Sequence, residues 1–255
     1  MSKLEEVPSR NPLLDYSKST HPFVISRFIL ECSRKLQFSV LASGTAASLF
    51  HSFRHASQRP EAYDPYLMAG ASLYLAGKIE EESHIRLRDI LNVLRSTLHP
   101  GKDLLQHDSE YFNHREAIVE AELLLLRILD FRLKFSHPHP FLLQYLKSLR
   151  DWLDPELWSE VPIASSAWKM LQDFYHDPFI LEWRGSLVAI SLIHLTLQIY
   201  GVEVPYLPKE TDWIKALDDS VDMKDVMEIE SRILNVYNDE TKLIQPLILE
   251  KTIKE

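Results

Sequence analysis

The sequence predicts an all-α protein made of two tandem five-helix repeats. Apolar residues recur every three or four positions over most of its 255 residues, whereas β-branched residues show no sustained alternation of the kind that a strand needs. Similar residues also appear in the same order in both halves, which indicates duplication. Because no apolar run approaches the roughly 20 residues that cross a bilayer, we expect no membrane contact.

Five helices are predicted in the first half. They cover about 22–37, 40–57, 64–82, 86–98 and 110–131. Polar segments at 58–61 and 99–108 separate neighbouring helices, and Ser109 is a suitable N-cap for the last helix. We expect these helices to form a first repeat at 21–137, preceded by a flexible N-terminal segment at 1–20.

The second half follows a proline-containing link at 136–140. Its helices are predicted at about 140–153, 159–176, 183–200, 210–217 and 222–237. We expect the second repeat to occupy 138–240 and a short C-terminal tail to occupy 241–255. The two histidines of the link, His137 and His139, are interpreted as polar residues of a proline-ordered linker.

The two halves share residues at nearly constant offsets. The tripeptide at 21–23 recurs at 139–141, an offset of 118, and the second and third helices match at offsets of 122 and 120. The tripeptide at 127–129 recurs at 232–234, an offset of 105, which implies a shorter connection before the final helix. The alternative is a pair of unrelated bundles that share common core residues.

The third helix carries a lysine on an otherwise apolar face. Leu67, Ala71 and Tyr74 mark that face at helical spacing, and its next position is Lys78. The position 120 residues further on is Gln198, so the lysine is particular to the first half. A charge beside a packed face needs a partner.

A carboxylate interrupts the fifth helix in the same way, because Glu122 stands on the apolar line that continues to Leu126. Two interpretations stay open. Lys78 and Glu122 either form a buried ion pair within the bundle or both face a groove in which a partner supplies hydrogen bonds. In the second case, Leu75, Ile79 and Leu126 would be the apolar anchor of an interface.

The segments around these charges resemble the cyclin family. Residues 75–81 are similar to the signature of the third helix in that family, and residues 122–129 are similar to the signature of its fifth helix. The resemblance extends over about 21–240 and implies two five-helix cyclin boxes. It also implies an activating regulatory subunit that forms a heterodimer with a cyclin-dependent serine/threonine kinase and has neither catalytic residues nor a cofactor.

Other segments resemble the transcription-type cyclins of the K, L and Q groups. These are 28–31, 86–90 and the link at 136–140, while 63–67 and 200–205 are most similar to the Q group. The resemblance implies a role in transcription or cell-cycle control and a nuclear location, with the cytoplasm left open. The first helix lacks the Met-Arg-x-x-Leu pattern of cell-cycle cyclins, so we do not expect recruitment of Arg-x-Leu substrates.

The resemblance also implies which residues bind the kinase. Lys78 and Glu122 would bond its backbone near the αC helix, and leucine and isoleucine side chains would pack against that helix. The implied kinase-binding residues are Lys78, Glu122, Leu75, Ile79, Glu80, Leu126 and Leu133.

Two other classes of function were weighed against this interpretation. Cyclin-box general transcription factors bind DNA, but a net charge of -9 and a single cysteine provide neither a basic surface nor a zinc ribbon, so we expect no direct nucleic-acid binding. All-α metal phosphohydrolases use His-Asp pairs, of which the chain has two, at 107–108 and 176–177. The first pair is predicted in a loop and the second at the end of a helix, so we expect no metal site.

Overall fold

The computed structural model of the protein describes residues 14–102, 105, 106, 108–205 and 212–249. Over these residues it contains eleven α-helices, and its β pairing is limited to one antiparallel bridge between Leu14 and Ile248. The predicted all-α class is therefore confirmed. None of the helices in this described part is long and apolar enough to cross a membrane.

The first repeat contains the five predicted helices, each within three residues of its predicted bounds. They are α1 Pro22–Lys35, α2 Val40–Ala56, α3 Pro65–Ile79, α4 Leu87–Leu98 and α5 Ser109–Ile128. The predicted cap of α5 was wrong by one residue. Asp108 is the N-cap and accepts a hydrogen bond from the amide of Tyr111 at 3.1 Å, which makes Ser109 the first helical residue.

Within its described residues, the second repeat contains six α-helices in place of the five that were predicted. They are α6 His139–Trp152, α7 Pro155–Glu160, α8 Ile163–Phe174, α9 Gly185–Tyr200, α10 Trp213–Leu217 and α11 Met223–Asp239. The predicted helix at 159–176 is divided because Pro162 forces Val161 into an extended conformation, which ends α7 before α8 begins. Residues 210 and 211 of the predicted fourth helix lie outside the described part.

The helices α3 and α9 lie at the centre of their repeats, and one hydrophobic core continues from the first repeat into the second. Small residues let neighbouring helices approach α3 closely. A Cβ atom on Gly70 would lie 2.7 Å from the terminal methyl of Leu94 on α4, so a larger residue here would require the Leu94 side chain to move. Each leucine or phenylalanine buried in this core contributes roughly 1.5–3 kcal/mol.

The ends of the described chain pack together. Tyr16 is buried and donates a hydrogen bond to Glu31 at 2.5 Å, so residues from 14 onwards are packed where the sequence predicted a flexible segment up to residue 20. The predicted tail continues α11 as a helical turn at Glu240–Ile244, and the amide of Asp15 donates to the carbonyl of Leu247 at 2.8 Å. The boundaries between the repeats stay predictions.

Burial shows a different register for the last helix of each repeat. The buried residues Ile118, Ala121, Glu122 and Leu125 of α5 correspond one for one to Val226, Ile229, Glu230 and Ile233 of α11, an offset of 108. The predicted offset of 105 instead pairs the buried Leu129 with the half-exposed Leu234. The prediction from the matching tripeptide was therefore wrong by three residues, because identical residues need not lie on the same face of the two helices.

Candidate protein-binding groove

The C-terminal end of α3 and the middle of α5 bring the two predicted charges together. The Nζ atom of Lys78 lies 2.6 Å from Oε1 of Glu122 and 2.7 Å from Oε2, so the ammonium group donates to both carboxylate oxygens. In the free chain, this contact supports the first interpretation, in which Lys78 and Glu122 pair with each other. The charges form an ion pair with each other across the α3–α5 contact.

The two members of this pair differ in their access to solvent. The side chain of Glu122 is 7% exposed, whereas that of Lys78 is 49% exposed. The Lys78 ammonium also lies 4.0 Å from the centre of the Tyr74 ring, which favours its positive charge. Because an ammonium group has three N–H donors, Lys78 can still bind another acceptor from outside while it neutralises Glu122.

A cavity of about 410 Å³ opens beside Lys78, between α3 and the start of α4. Its wall combines apolar and charged side chains, namely Tyr74, Lys78, Ile85, Arg86, Leu87 and Ile90. The pair is therefore reached from solvent mainly on the lysine side, because the Glu122 side chain is only 7% exposed.

The predicted apolar residues divide into two groups. Leu75 is buried in the core, whereas Ile79, Leu126 and Leu133 are half-buried and keep apolar surface open to solvent. Leu126 lies one turn after Glu122, so it shares the face on which the pair lies. Leu75 is therefore part of the core, and the other three residues keep apolar surface that is accessible to a partner.

Two exposed apolar residues, one in the second half of α5 and one just after it, were not among the predicted site residues. Leu123 on α5 is 49% exposed, and Phe131, directly after that helix, is 67% exposed. A signal for the first was present, because the four consecutive leucines at 123–126 occupy more of the circumference than one buried face of a helix can cover. Phe131 adopts a positive φ of 56° in the turn that follows α5, a conformation that helical periodicity does not reveal.

The remaining predicted site residue, Glu80, points away from the groove. Its Oε1 atom accepts a hydrogen bond from the hydroxyl of Thr45 on α2 at 2.7 Å. Nearby, Glu82 accepts a hydrogen bond from the amide of Ser39 at 2.7 Å, directly before α2. These two carboxylates fasten the end of α3 to α2 and so hold Lys78 in place.

Glu80 is also the end of a hydrogen-bonded chain that reaches the second repeat. Nε2 of His137 lies 2.9 Å from the Thr45 hydroxyl, and Nδ1 of His137 lies 2.7 Å from the hydroxyl of Tyr175. If Thr45 donates to Glu80, then Nε2–H donates to Thr45 and Tyr175 donates to Nδ1, so every group is satisfied with a neutral imidazole. Burial lowers the pKa of His137, which favours this neutral form.

The interpretation of His137 and His139 as linker residues was therefore incomplete. The His137 ring bridges Thr45 of the first repeat and Tyr175 of the second, whereas His139 is buried within the second repeat and stacks on Tyr175 with ring centres 5.6 Å apart. Burial lowers the pKa of His139 to about 4. Sequence periodicity could not show this, because packing against the other repeat decides whether a loop residue is buried.

The predicted His-Asp pairs do not assemble a metal site among the residues that the structure describes. His107 lies outside those residues, and no group of three or more potential metal ligands is found within them. His176 is buried, its Nδ1 lies 2.6 Å from the carbonyl of Asp173, and burial lowers its pKa to about 3. The described part thus contains nothing that favours the phosphohydrolase alternative.

Comparison with known families assigns the chain to a class. The family model described as the N-terminal domain of cyclin matches residues 3–134, which is more than half of the chain. The chain belongs to the cyclin family.

Individual relatives place it among the transcription-type cyclins. Cyclin-T1 of Mus musculus is 26% identical over 237 residues, which cover 92% of this chain and 31% of that protein. Cyclin-L1 of Homo sapiens is 25% identical over 213 residues, which cover 81% of this chain and 39% of that protein. The chain thus spans about a third of the length of these relatives. The predicted transcription type is confirmed, and the closer similarity to the Q group stays a prediction.

Two solved structures share the fold. A chain of the yeast RNA polymerase II CTD kinase CTDK-1 complex has a TM-score of 0.66 at 16% identity, and the match covers 92% of this chain and 71% of that one. A chain of the CAK complex of Chaetomium thermophilum bound to ATP-gamma-S has a TM-score of 0.56 at 16% identity, with coverages of 88% and 63%. At this identity the likeness concerns the fold alone.

Proposed function

We propose that the chain is the activating regulatory subunit of a cyclin-dependent serine/threonine kinase that acts in the nucleus, in transcription or cell-cycle control. Membership of the cyclin family supports this proposal, as do the kinase complexes in which chains of the same fold occur. The observation that carries it is the Lys78–Glu122 pair, which stands at the surface among half-buried apolar residues and retains an unused N–H donor. In this proposal the kinase supplies the catalytic groups.

Activation requires that the kinase form the ion pair between its β3 lysine and its αC glutamate. In the proposed complex, the surface of α3 and α5 around Lys78 and Glu122, here called the α3–α5 groove, holds the αC helix in the position that allows the ion pair of the kinase to form. Lys78 donates its unused N–H to a backbone carbonyl of the kinase, and Glu122 accepts a backbone N–H. Ile79, Leu126 and Leu133 pack against the αC helix.

The paired charges are well suited to bind a partner because Glu122 is already largely desolvated in the free chain, so little further desolvation of this carboxylate is needed. Kinase binding desolvates the exposed half of Lys78 and the small exposed part of Glu122, and the ammonium exchanges water for a backbone carbonyl. Signalling complexes of this kind often bury more than about 2,000 Å². Truncating one member of a hydrogen-bonded charge pair at such an interface costs roughly 2–5 kcal/mol.

The test is co-purification of the tagged full-length chain with cyclin-dependent kinases from cells, followed by mass spectrometry and a kinase assay. We expect Lys78→Ala and Glu122→Ala each to lower kinase recovery and activity at least about tenfold. Matched controls are Lys134→Ala and Glu120→Ala, which remove exposed charges of the same signs. Unchanged recovery of the kinase with both groove variants, each shown to be folded by circular dichroism, would refute the proposal.

A further inference from the structure

The second repeat contains its own pairing of a buried carboxylate with a base. On α11, Glu230 corresponds to Glu122 in the register set by burial, and its Oε1 atom lies 2.5 Å from Nδ1 of His194 on α9. The Trp213 ring stacks on His194 with centres 6.3 Å apart, much as Tyr74 lies under Lys78 in the first repeat. The second repeat thus has the same arrangement as the Lys78–Glu122 site, a carboxylate bonded to a basic side chain beside an aromatic ring, with histidine in place of lysine.

A cavity of about 600 Å³ opens beside His194, at the end of α9. Its volume lies within the range of about 300–1,000 Å³ that is typical of ligand pockets. Gly201 ends α9 in a left-handed conformation, with a φ of 64°, and turns the chain so that residues 202–205 form one wall. The start of α10 forms the opposite wall.

Two of the polar side chains that line this cavity are carboxylates, and the others are His194, Gln198 and Trp213. Glu203 and Asp212 are exposed, and neither carboxylate makes an ion pair within the described residues. Nδ1 of His194 lies 2.5 Å from Glu230, and Nε2 of the same ring has no hydrogen-bond partner within the described part of the chain. Trp213 adds a half-buried ring face, which attracts cations.

The charge of the whole repeat has the same sign as the cavity. The segment 14–137 contains 15 Lys and Arg and 15 Asp and Glu, whereas 138–249 contains 9 and 18. The second repeat therefore carries all of the net negative charge, which attracts basic partners and repels nucleic acid and anionic membranes. Beside the cavity, Ile199 and Tyr200 on α9 are exposed apolar side chains.

We propose that this cavity binds an arginine-containing segment of a partner protein. A guanidinium group has a planar fork of N–H donors that can bond the carboxylates of Glu203 and Asp212 and stack on Trp213. Neighbouring apolar residues of the segment pack on Ile199 and Tyr200. The surface is separate from the α3–α5 groove, so one chain can hold a kinase and this partner together.

The test uses fluorescence anisotropy of a short labelled peptide of arginine, glycine and isoleucine, measured with the full-length chain at about 0.15 M salt. We expect Glu203→Gln combined with Asp212→Asn to weaken binding at least about tenfold. Asparagine at 212 still caps α10, so the fold is preserved. The matched control, Asp151→Asn with Glu160→Gln, removes two exposed charges outside the cavity and should change affinity less than about twofold.

Two results would overturn the proposal. Equal losses in both double variants would show general attraction to an acidic protein, and equal binding of a peptide with citrulline in place of arginine would show that the guanidinium charge is not recognised. Kinase recovery by the Glu203→Gln/Asp212→Asn variant is measured in parallel. We expect it to be unchanged, so the two proposals can fail separately.

Discussion

Glu122 is a nearly buried carboxylate whose charge is balanced by one half-exposed lysine. Removing the partner of a buried charge lowers the stability of the fold, because the desolvation free energy is no longer offset by the ion pair. The exposure of Lys78 reduces that effect, since water can reach the site when the lysine is removed. The same asymmetry that leaves Lys78 available to a partner therefore makes Glu122 depend on it.

This dependence predicts unequal effects of the two single substitutions on stability. We expect Lys78→Ala to lower the free energy of unfolding by about 1–2 kcal/mol, because it leaves the Glu122 carboxylate buried without a positive partner. Glu122→Gln should cost less than about 1 kcal/mol, because it removes the charge and keeps the shape. Urea unfolding followed by circular dichroism measures both. A larger loss of stability for Glu122→Gln than for Lys78→Ala would contradict the idea that the unpaired Glu122 carboxylate is the main cost of breaking the pair.

At the scale of elements, α2 approaches the end of α8 so closely that a glycine is required. A Cβ atom on Gly44 would lie 2.8 Å from Cζ of Tyr175 and 3.0 Å from its hydroxyl oxygen. The ring is buried and its hydroxyl bonds His137, so moving it aside would disturb that hydrogen bond. The contact is thus both a packing constraint and the support of the chain of hydrogen bonds that ends at Glu80.

We therefore expect Gly44→Ala to destabilise the protein by about 1–3 kcal/mol through overpacking, although alanine favours helices by about 1 kcal/mol over glycine. Gly77→Ala on α3 is the matched control, because the nearest atom to its new Cβ would lie 3.4 Å away, in ordinary contact. Thermal unfolding should show a lower midpoint for the first variant and an equal or higher midpoint for the second. The reverse order would contradict the role assigned to Tyr175.

The helices of the first repeat could be predicted from sequence because each has a clear apolar period and polar ends. The pair was visible for the same reason, since Lys78 and Glu122 each interrupt an apolar face. Periodicity could not show that Glu80 turns towards α2, since both faces of that segment carry carboxylates. It also missed the break at Pro162, because the apolar pattern continues on both sides of it.

At the scale of the whole molecule, the two repeats are joined through buried histidines. His51 donates from Nε2 to the carbonyl of Tyr175 at 2.9 Å, and His176 stacks on Phe23 with ring centres 5.2 Å apart. These two rings connect α2 and α1 to the second repeat, and His139 is buried beside Tyr175 within the second repeat. Each must be neutral to stay buried, because this environment offers no compensating charge.

Burial lowers the pKa of His51 and His139 to about 4 and that of His176 to about 3. The unfolded chain has histidines with pKa values near 6.5, so between these values it binds more protons than the folded protein. Stability due to the neutral rings is therefore complete above about pH 7 and is lost as pH falls through 6.5 towards 4. Asp173 and Glu240, whose pKa values are raised by burial, oppose this loss only at the acidic end, where they take up protons.

The histidines thus predict acid-sensitive attachment of the repeats. Between about pH 7.5 and pH 5.5, the free energy of unfolding should fall by on the order of 1 kcal/mol for each buried histidine. Urea unfolding at the two pH values measures the fall. His51→Gln tests its origin, because a glutamine amide can donate to the Tyr175 carbonyl but does not titrate, so the fall should shrink by about a third. A fall of the same size in this variant would show that other groups bind the protons, whereas a smaller one would place the acid response at the contact between the repeats.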